Sequence, residues 1–357
     1  MLMNRRIDWI DATKGLAILL VVIGHTFREA MLETSWICYL MYNIIYSFHM
    51  PLFFSLSGYL LNRTRTRNAI KIKDFSFMLQ KINTLIKPFI NYSILVYVLF
   101  YTANLIPFLG QILHNLNLDL IAPVEYFKAS FNGNNPYAFH LWYILVLFYM
   151  QTLAFVSNRV SLKLKFNFIW LFAIISFVLW NIRMLCAGQM TLIEMSFLRN
   201  TIYFSYGMLM YEYNIKIKRN IYVTLSISAW VYNFIFTFFL LNSFAGYDYL
   251  YYIFNLIQMI SVMIIINNFY RIGQILSNNK YIVFLGKNSF TIYLFHQPVC
   301  AFVSGFMYSK LPLTVILICF LTTVISIFLP IAILYISSKS ERFSWICNKL
   351  FCIKRIQ

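Results

Sequence analysis

The sequence predicts an all-α fold, a polytopic integral membrane helical bundle of about ten transmembrane helices. Composition is the first reason, because 61% of the residues are hydrophobic and only 11% are charged, against about 25% charged in soluble domains. Long apolar runs along the whole chain are the second reason. Inside a bilayer the backbone must be hydrogen-bonded within the protein, and runs that are uniformly apolar rather than alternating achieve this as helices.

Each apolar run is close to the ~20 residues that cross a hydrocarbon core of ~30 Å. In chain order the runs occupy residues 15–33, 36–61, 84–106, 140–157, 167–185, 198–213, 221–241, 250–268, 286–308 and 311–336. All of them belong to one predicted transmembrane domain, residues 1–338. Residues 339–357 are predicted to form a short basic cytoplasmic tail.

Basic residues are unevenly distributed between the connections. With the N-terminus inside, the inner segments hold all 29 Lys and Arg residues except Arg28, Lys128, Arg183, Arg199 and Lys310. This bias follows the positive-inside rule and predicts that both termini are cytoplasmic. The net charge of +18 is therefore explained by membrane topology, and no nucleic-acid partner is expected.

The first predicted helix carries a lysine and a histidine on one face. Lys14 and His25 are eleven residues apart, which in an α-helix brings them within ~20° of each other and ~16 Å apart along the axis. We expect Lys14 near the inner surface and His25 near the middle of the bilayer. Asp11 lies on the same side, where it either orients Lys14 or simply neutralises it.

Three histidines fall at a similar predicted depth. By helical rise, His25, His49 and His296 all approach the midplane. Pro51 is expected to kink the helix that carries His49, so a polar cavity that the three histidines share is predicted. The alternative is that each histidine only hydrogen-bonds a neighbouring helix. His140, at the outer end of its run, is either an interfacial anchor or part of an acceptor site.

The six cysteines do not indicate a disulfide framework or a metal site. Four of them lie in or at the ends of apolar runs, namely Cys38, Cys186, Cys300 and Cys319. Cys347 and Cys352 lie in the C-terminal segment without the C-x-x-C spacing of zinc sites, so no metal is expected.

Four segments, in chain order, carry a family resemblance. They are Asp11-x-x-Lys14-Gly15 with Gly24-His25, then Phe48-His-Met-Pro-Leu-Phe-Phe-Ser-Leu-Ser-Gly-Tyr-Leu60, His140-Leu-Trp142-Tyr143 and Leu285-Gly-Lys-Asn-Ser-Phe-Thr-Ile-Tyr-Leu-Phe-His296. In these segments the chain resembles the membrane acyltransferase-3 family, whose members O-acetylate sugars and related acceptors. Position 14 departs from the family, which more often has arginine there. Lysine keeps the charge but lacks the bidentate grip of a guanidinium on phosphate.

The resemblance implies roles for particular residues. His25 is implied as the general base, with His49 and His296 as further catalytic residues. Acetyl-CoA is implied as the acyl donor, without a metal, and its binding residues are expected to be Asp11, Lys14, Ser57, Gly58, Arg63, Arg65 and Arg67. The acceptor is expected to contact His140, Trp142 and Tyr293. Positive-inside anchoring is the alternative for the arginines, and close helix packing is the alternative for Ser57 and Gly58.

Two functions of different class are compatible with these observations. The resemblance implies a multi-pass O-acetyltransferase of the bacterial inner membrane, in contact with membrane lipids. It would move an acetyl group from cytoplasmic acetyl-CoA to a hydroxyl of a cell-surface glycan, such as O-antigen or capsule, or of its lipid-linked precursor. The alternative is a polytopic transporter or flippase of a lipid-linked sugar that uses the intramembrane histidines. Transporters often pair broken helices in corresponding halves, and because the sequence does not show such pairs, the ordered motifs favour the enzyme.

Overall fold

The computed structural model of the protein describes residues 7–66, 72, 74–115, 118–186, 190–213, 219–240, 248–310 and 313–352. Throughout these ranges the regular elements are helices, and no strand occurs in them. The α-helices are, in chain order, α1 (Asp8–Thr26), α2 (Glu29–Thr34), α3 (Trp36–Thr66), α4 (Phe75–Lys81), α5 (Lys87–Asn104), α6 (Pro107–Asn115), α7 (Pro123–Asn132), α8 (Trp142–Leu164), α9 (Phe168–Leu185), α10 (Leu192–Tyr213), α11 (Arg219–Ile235), α12 (Asp248–Ile275), α13 (Lys280–Lys287), α14 (Ser289–Lys310), α15 (Val315–Ser337) and α16 (Glu341–Phe351). Short π-helical segments, Ile82–Ile86 and Phe236–Leu240, adjoin α5 and α11, and 3₁₀ turns adjoin α8 and α12.

The prediction of a polytopic helical membrane protein is confirmed. Nine helical stretches of the described residues are long and apolar enough to cross a membrane. The predicted segment 198–213 is not among them. It lies in α10, which carries Glu194 and Glu212 near its two ends and Arg199 two turns inside, and these charged residues reduce its apolar character.

The predicted boundaries of the first apolar segment, 15–33, were wrong. Helix α1 begins at Asp8 and ends at Thr26. The next two residues, Phe27 and Arg28, have extended backbone angles before the short helix α2 begins. Asp8 and Asp11 stand in the first turn of α1, where carboxylates interact favourably with the helix dipole. His25 consequently lies in the last turn of its helix and not in the middle of one.

The described residues fall into two compact units. The first comprises those within Met1–Ile70, Asn167–Leu185 and Asn200–Ser289, and the second those within Lys71–Phe166, Cys186–Arg199 and Phe290–Gln357. The predicted domain 1–338 contains residues of both units. The segment predicted as a basic tail, 339–357, belongs to the second.

The first unit is built around an apolar core with close helix contacts at glycines. Phe48, Leu52, Trp180 and Val262 are among its buried residues. Helix α13 lies directly against α1, because a Cβ atom at Gly286 would overlap the backbone carbonyl of Asp11, and one at Gly15 would overlap that of Ile282. Small residues of this kind let helix backbones approach closely in membrane proteins.

In the second unit, the C-terminal segment forms a helix that packs on α5. The side chain of Asn91 donates to the carbonyl oxygen of Leu350 at 2.8 Å, and the Cys352 thiol donates to that of Asn83 at 3.0 Å. Ser340 caps the start of α16 by accepting from the Phe343 amide, as N-cap serines do. Residues 341–351 thus form a helix that contacts the second unit, and the cytoplasmic location of this segment stays a prediction.

Candidate functional site

Two of the three predicted catalytic histidines lie around one tyrosine in the first unit. The hydroxyl of Tyr46 is 3.5 Å from Nδ1 of His25. Its ring meets that of His25 edge-to-face at a centroid distance of 6.1 Å, and that of His49 at 4.8 Å. Tyr42 stacks on Tyr46 at 4.0 Å. The last turn of α1 and the middle of α3 therefore bring His25, Tyr46 and His49 together.

The tautomer of His49 is set by its own helix. Its Nδ1 atom lies 2.8 Å from the carbonyl oxygen of Ile45. Because a carbonyl oxygen only accepts hydrogen bonds, Nδ1 must be the donor, and in the neutral ring the lone pair is on Nε2. His49 is buried, with 3% of its surface exposed, so this orientation is fixed by packing as well.

A chain of amide side chains holds the helical turn that precedes His49. Asn233 of α11 donates to the hydroxyl of Ser47 at 2.9 Å and accepts from Gln258 of α12 at 2.5 Å. Pro51 has no amide proton to donate to the carbonyl of Ser47, four residues earlier, so this is where α3 is weakest. The sequence pattern did not identify Asn233 or Gln258, because their contact with Ser47 depends on how α3, α11 and α12 pack.

Lys14 lies on the same helix as His25 and on the same side. Its Nζ atom is 3.7 Å from Oδ1 of Asp11, one turn earlier. Ile18 and Val21, which lie between Lys14 and His25 on this side, are buried at 0% and 4% exposure. The face of α1 that carries the lysine and the histidine is therefore turned toward the interior of the first unit.

Asp11 is a buried carboxylate. Only 6% of the residue is exposed, and its Oδ2 atom has no hydrogen-bond partner among the described residues. A buried acceptor of this kind is costly to leave unsatisfied, which distinguishes Asp11 from a surface charge. The pair of Asp11 and Lys14 is the predicted donor site at the start of α1.

Ser57 and Gly58, predicted to line a donor tunnel or to aid packing, lie in the helix contact region of α3. The hydroxyl of Ser57 donates to the carbonyl oxygen of Phe53 at 2.9 Å, within the same helix. A Cβ atom at Gly58 would overlap the backbone carbonyl of Phe204 in α10. Gly58 therefore allows close contact between two helices, and a role in donor binding stays a prediction for both residues.

The predicted arginine cluster at the end of α3 is only partly described. Arg65 donates from Nε to Oδ1 of Asn62 at 2.8 Å and forms an ion pair with Glu212 of α10 at 3.5 Å. Arg63 is half-buried nearby, and Arg67 lies outside the described residues. For Arg65 the contacts join two helices of the first unit, and a role of the three arginines in binding the donor stays a prediction.

In the second unit, His140 is bound on several sides by residues of α14. Its backbone amide donates to Oε1 of Gln297 at 2.8 Å, and its Nδ1 atom also contacts that oxygen. Its Nε2 atom is 3.1 Å from the carbonyl oxygen of Leu294. The hydroxyl of Tyr293 donates to the carbonyl of His140. Gln297 was not predicted, although it directly follows His296 in the sequence.

His296 lies next to His140. Their rings meet edge-to-face at a centroid distance of 5.2 Å, and His296 is fully buried. Its Nδ1 atom is 2.8 Å from the carbonyl oxygen of Tyr293, so Nδ1 is the donor and the lone pair of the neutral ring is on Nε2. Trp142, predicted to contact the acceptor, is partly exposed at the start of α8, with its ring 6.5 Å from that of Tyr143.

The predicted histidines are thus found in two clusters. His25 and His49 belong to the first unit, whereas His140 and His296 belong to the second. That His25, His49 and His296 share one cavity stays a prediction. Within the described residues, no group of three or more His, Cys, Asp and Glu side chains is placed to hold a metal ion.

The apolar helices of membrane-spanning length define the class of this molecule, a polytopic membrane protein. Its helical units also contain buried histidines, such as His49 and His296. Residues 7–331 match the model of the acyltransferase domain family Acyl_transf_3. The chain belongs to this family, and the resemblance drawn from its motifs is confirmed.

The chain also has a short local similarity to one known protein. The chain is 38% identical over 69 residues to the nodulation protein NolL of Sinorhizobium fredii, and the aligned part covers 18% of this chain and 19% of that protein. The similarity therefore spans about a fifth of either chain. No solved structure matches the chain.

Proposed function

We propose that this protein is a membrane O-acetyltransferase, which moves an acetyl group from acetyl-CoA to a hydroxyl of a cell-surface glycan or of its lipid-linked precursor. The observation that carries the proposal is the cluster of His25 with Tyr46 and His49 of α3, since His25 lies on the face of α1 that also bears Lys14. Membership of the acyltransferase family supports the reaction class. The acetyl donor and the glycan acceptor are the specific parts of the proposal.

The reaction requires a base for the acceptor hydroxyl. As the hydroxyl oxygen attacks the thioester carbonyl carbon, its proton passes to Nε2 of His25, the carbon–sulfur bond breaks, and the proton then goes to the departing CoA thiolate. His25 has a lone pair on Nε2 when its Nδ1 donates to the hydroxyl of Tyr46. In this role Tyr46 orients the base, as the partner of a general base commonly does.

His49 has a separate role in the proposal. Its Nε2 atom carries the lone pair in the neutral ring, and its ring is held by Tyr46 and Ile45. We propose that His49 orients the hydroxyl group of the glycan. Its Nε2 atom offers this hydroxyl a second hydrogen-bond acceptor, beside Nε2 of His25. Two fixed acceptors for one O–H group position the nucleophile before the attack, and positioning is a large part of enzymatic rate enhancement.

Lys14 is assigned to the phosphates of CoA. An ammonium attracts phosphate as a point charge, although it lacks the bidentate geometry of arginine. Lys14 and His25 are ~16 Å apart along α1 by helical rise, so the phosphates would bind at one end of the helix while the thioester reaches the other. Asp11 holds the lysine in place from the preceding turn.

The distribution of charge supports a direction for the transfer. Basic residues are concentrated in the connections assigned to the inside, as the positive-inside rule requires of cytoplasmic segments. The donor would then enter from the cytoplasm of a bacterial cell, beside Lys14. The acceptor would approach His25 from the outer side of the inner membrane, so that an acetyl group crosses the bilayer while CoA does not.

The proposal is tested by the O-acetyl content of the cell-surface polysaccharide in cells with and without the gene. We expect O-acetyl esters, measured by NMR of the purified polysaccharide, to disappear in the deletion strain and to return with the wild-type gene. Restoration by the His25→Ala gene would contradict the assigned base. An unchanged ester content in the deletion strain, with the polysaccharide itself lost, would favour transport of a lipid-linked sugar instead.

A further inference from the structure

Helix α14 contains a proline that leaves one carbonyl group without its usual partner. Pro298 lies inside the helix and has no amide proton. The carbonyl oxygen four residues earlier, that of Leu294, therefore lacks its helical donor, and the proline ring pushes against it. In an apolar environment such a carbonyl needs another donor, because water is not available to hydrate it.

His140 supplies that donor from another helix. Its Nε2 atom lies 3.1 Å from the oxygen of Leu294. A neutral ring carries one proton. We place this proton on Nε2, because the Leu294 carbonyl lacks its helical donor, whereas Oε1 of Gln297, which Nδ1 contacts, already accepts from the backbone amide of His140. His140 precedes α8, and Leu294 follows it by 154 residues in the sequence. The contact therefore joins the start of α8 to the interrupted turn of α14.

The remaining polar groups of His140 contact the same turn. Its backbone amide and Nδ1 reach Oε1 of Gln297, and its carbonyl oxygen accepts from the hydroxyl of Tyr293. With 3% of its surface exposed, the residue is enclosed by these partners. An acceptor sugar would have to displace them in order to bind the ring, which argues against His140 as a ligand-binding residue.

We infer that His140 is a positioning residue, which holds the Pro298-interrupted turn of α14 and thereby orients His296. The two rings are 5.2 Å apart. The Nδ1 atom of His296 donates to the carbonyl oxygen of Tyr293, which lies in the same turn. Loss of His140 would leave the Leu294 carbonyl unsatisfied and allow the turn that carries His296 to move. The consequence for acetyl transfer rests on the proposed function, whereas the consequence for stability does not.

A double-mutant cycle with Pro298→Ala tests this inference. Alanine at position 298 restores an amide proton that can donate to the Leu294 carbonyl, so the helix no longer needs His140 there. We expect His140→Ala to lower the unfolding midpoint of the purified full-length protein by about 2 °C or more. In the Pro298→Ala background, His140→Ala should lower the unfolding midpoint by less than half of the decrease that it causes in the wild-type background. Neighbouring groups that share a partner show such non-additivity.

Two further variants separate positioning from ligand binding. His140→Gln keeps a side-chain amide donor and should retain more of the midpoint and of the acetyl transfer than His140→Ala does. Pro330→Ala, which changes another proline inside a helix of the same unit, is the matched control and should leave the cost of His140→Ala unchanged.

Activity is measured for the same variants in membranes, as the transfer of labelled acetyl groups from acetyl-CoA to glycan. Positioning predicts that Pro298→Ala also reduces the loss of transfer caused by His140→Ala. An equal cost of His140→Ala in both backgrounds, in midpoint and in transfer, would overturn the inference. Absence of acetyl transfer by the wild-type protein would count against the proposed function alone. The unfolding midpoints of the double-mutant cycle would still decide whether His140 holds the turn of α14.

Discussion

The Nδ1 atom of His49 donates a hydrogen bond to the carbonyl oxygen of Ile45 at 2.8 Å. This contact fixes which ring nitrogen carries the proton, and so it directs the lone pair of the neutral imidazole to Nε2. The same ring meets Tyr46 edge-to-face. A histidine held in this way can accept a hydrogen bond from a hydroxyl without first having to change its tautomer.

We therefore predict that His49→Ala reduces acetyl transfer by about 10-fold or more, because the attacking hydroxyl loses one of the two groups that position it. His49→Gln should restore part of the rate, because its amide oxygen can accept the hydrogen bond of the hydroxyl in place of Nε2. Transfer from labelled acetyl-CoA in isolated membranes measures both effects. Thr64→Ala is a control on the same helix, because the Thr64 hydroxyl donates to the carbonyl oxygens of Leu60 and Leu61 within α3. Normal rates in both histidine variants would remove His49 from the reaction.

The second prediction concerns the donor end of α1. Lys14→Ala should raise the apparent Michaelis constant for acetyl-CoA, because the variant loses a cation for the phosphates. Lys14→Arg should keep or lower it, since a guanidinium binds phosphate in a bidentate manner. The concentration dependence of transfer on acetyl-CoA is the measurement. If Lys14→Ala changes only the maximal rate, the lysine does not hold the donor.

The three arginines of the first inner connection allow a comparison at the same surface. Changing Arg63, Arg65 and Arg67 together to lysine keeps the charge that positive-inside anchoring needs. If they only anchor the topology, the Michaelis constant for acetyl-CoA should stay unchanged. A large increase of this Michaelis constant would instead indicate that the arginines bind acetyl-CoA. A loss of stability alone would be explained by the contacts of Arg65 with Asn62 and Glu212.

The third prediction concerns the contact between α1 and α13. Because a Cβ atom at Gly286 would overlap the backbone carbonyl of Asp11, Gly286→Ala must push the two helices apart. Overpacking of this kind costs about 1–3 kcal/mol, and the shift would also move the Asp11–Lys14 pair. Thermal unfolding should show a lower midpoint, together with weaker use of acetyl-CoA. Tyr281→Ala, at an exposed position of the same helix, is the control, and an equal effect of both changes would refute close packing at Gly286.

The fourth prediction concerns topology. In a background without the native cysteines, single cysteines at positions 68 and 134 should differ in their reaction with a membrane-impermeant thiol reagent. Asn134 follows the left-handed Gly133 at the end of α7 and is exposed, so Asn134→Cys should be labelled in intact cells. Asn68→Cys should react only after the membrane is opened. The reverse pattern would exchange the donor and acceptor sides.

Much of the helical architecture could be predicted from local sequence. Apolar runs of membrane-spanning length identify the helices, and the spacing of Lys14 and His25 places both on one face of α1 because helical periodicity is a local property. The end of α1 at Thr26 was not predicted. The chain near Phe27 and Arg28 is only moderately polar, and hydropathy alone does not show where the backbone becomes extended.

The partners of the histidines depend on tertiary packing, and this limits prediction of the site. Pro298 visibly removes the donor for Leu294, but nothing in the sequence indicates that His140, far along the chain, provides another. The contact of Asn233 with Ser47 could not be predicted either, since the two residues are 186 positions apart in the sequence and lie on different helices. Tyr46 lies three residues before His49, and helical spacing indicates this neighbour once the histidine is considered functional.

The central claim is that His25 serves as the base for transfer of an acetyl group from acetyl-CoA. Its most direct test is the transfer of labelled acetyl groups to glycan by membranes that contain equal amounts of wild-type or His25→Ala protein. We predict that wild-type membranes form labelled glycan and that His25→Ala lowers the rate by about 10² to 10⁴-fold, while the protein stays inserted and folded. Near-normal formation of labelled glycan by the His25→Ala protein would contradict the account.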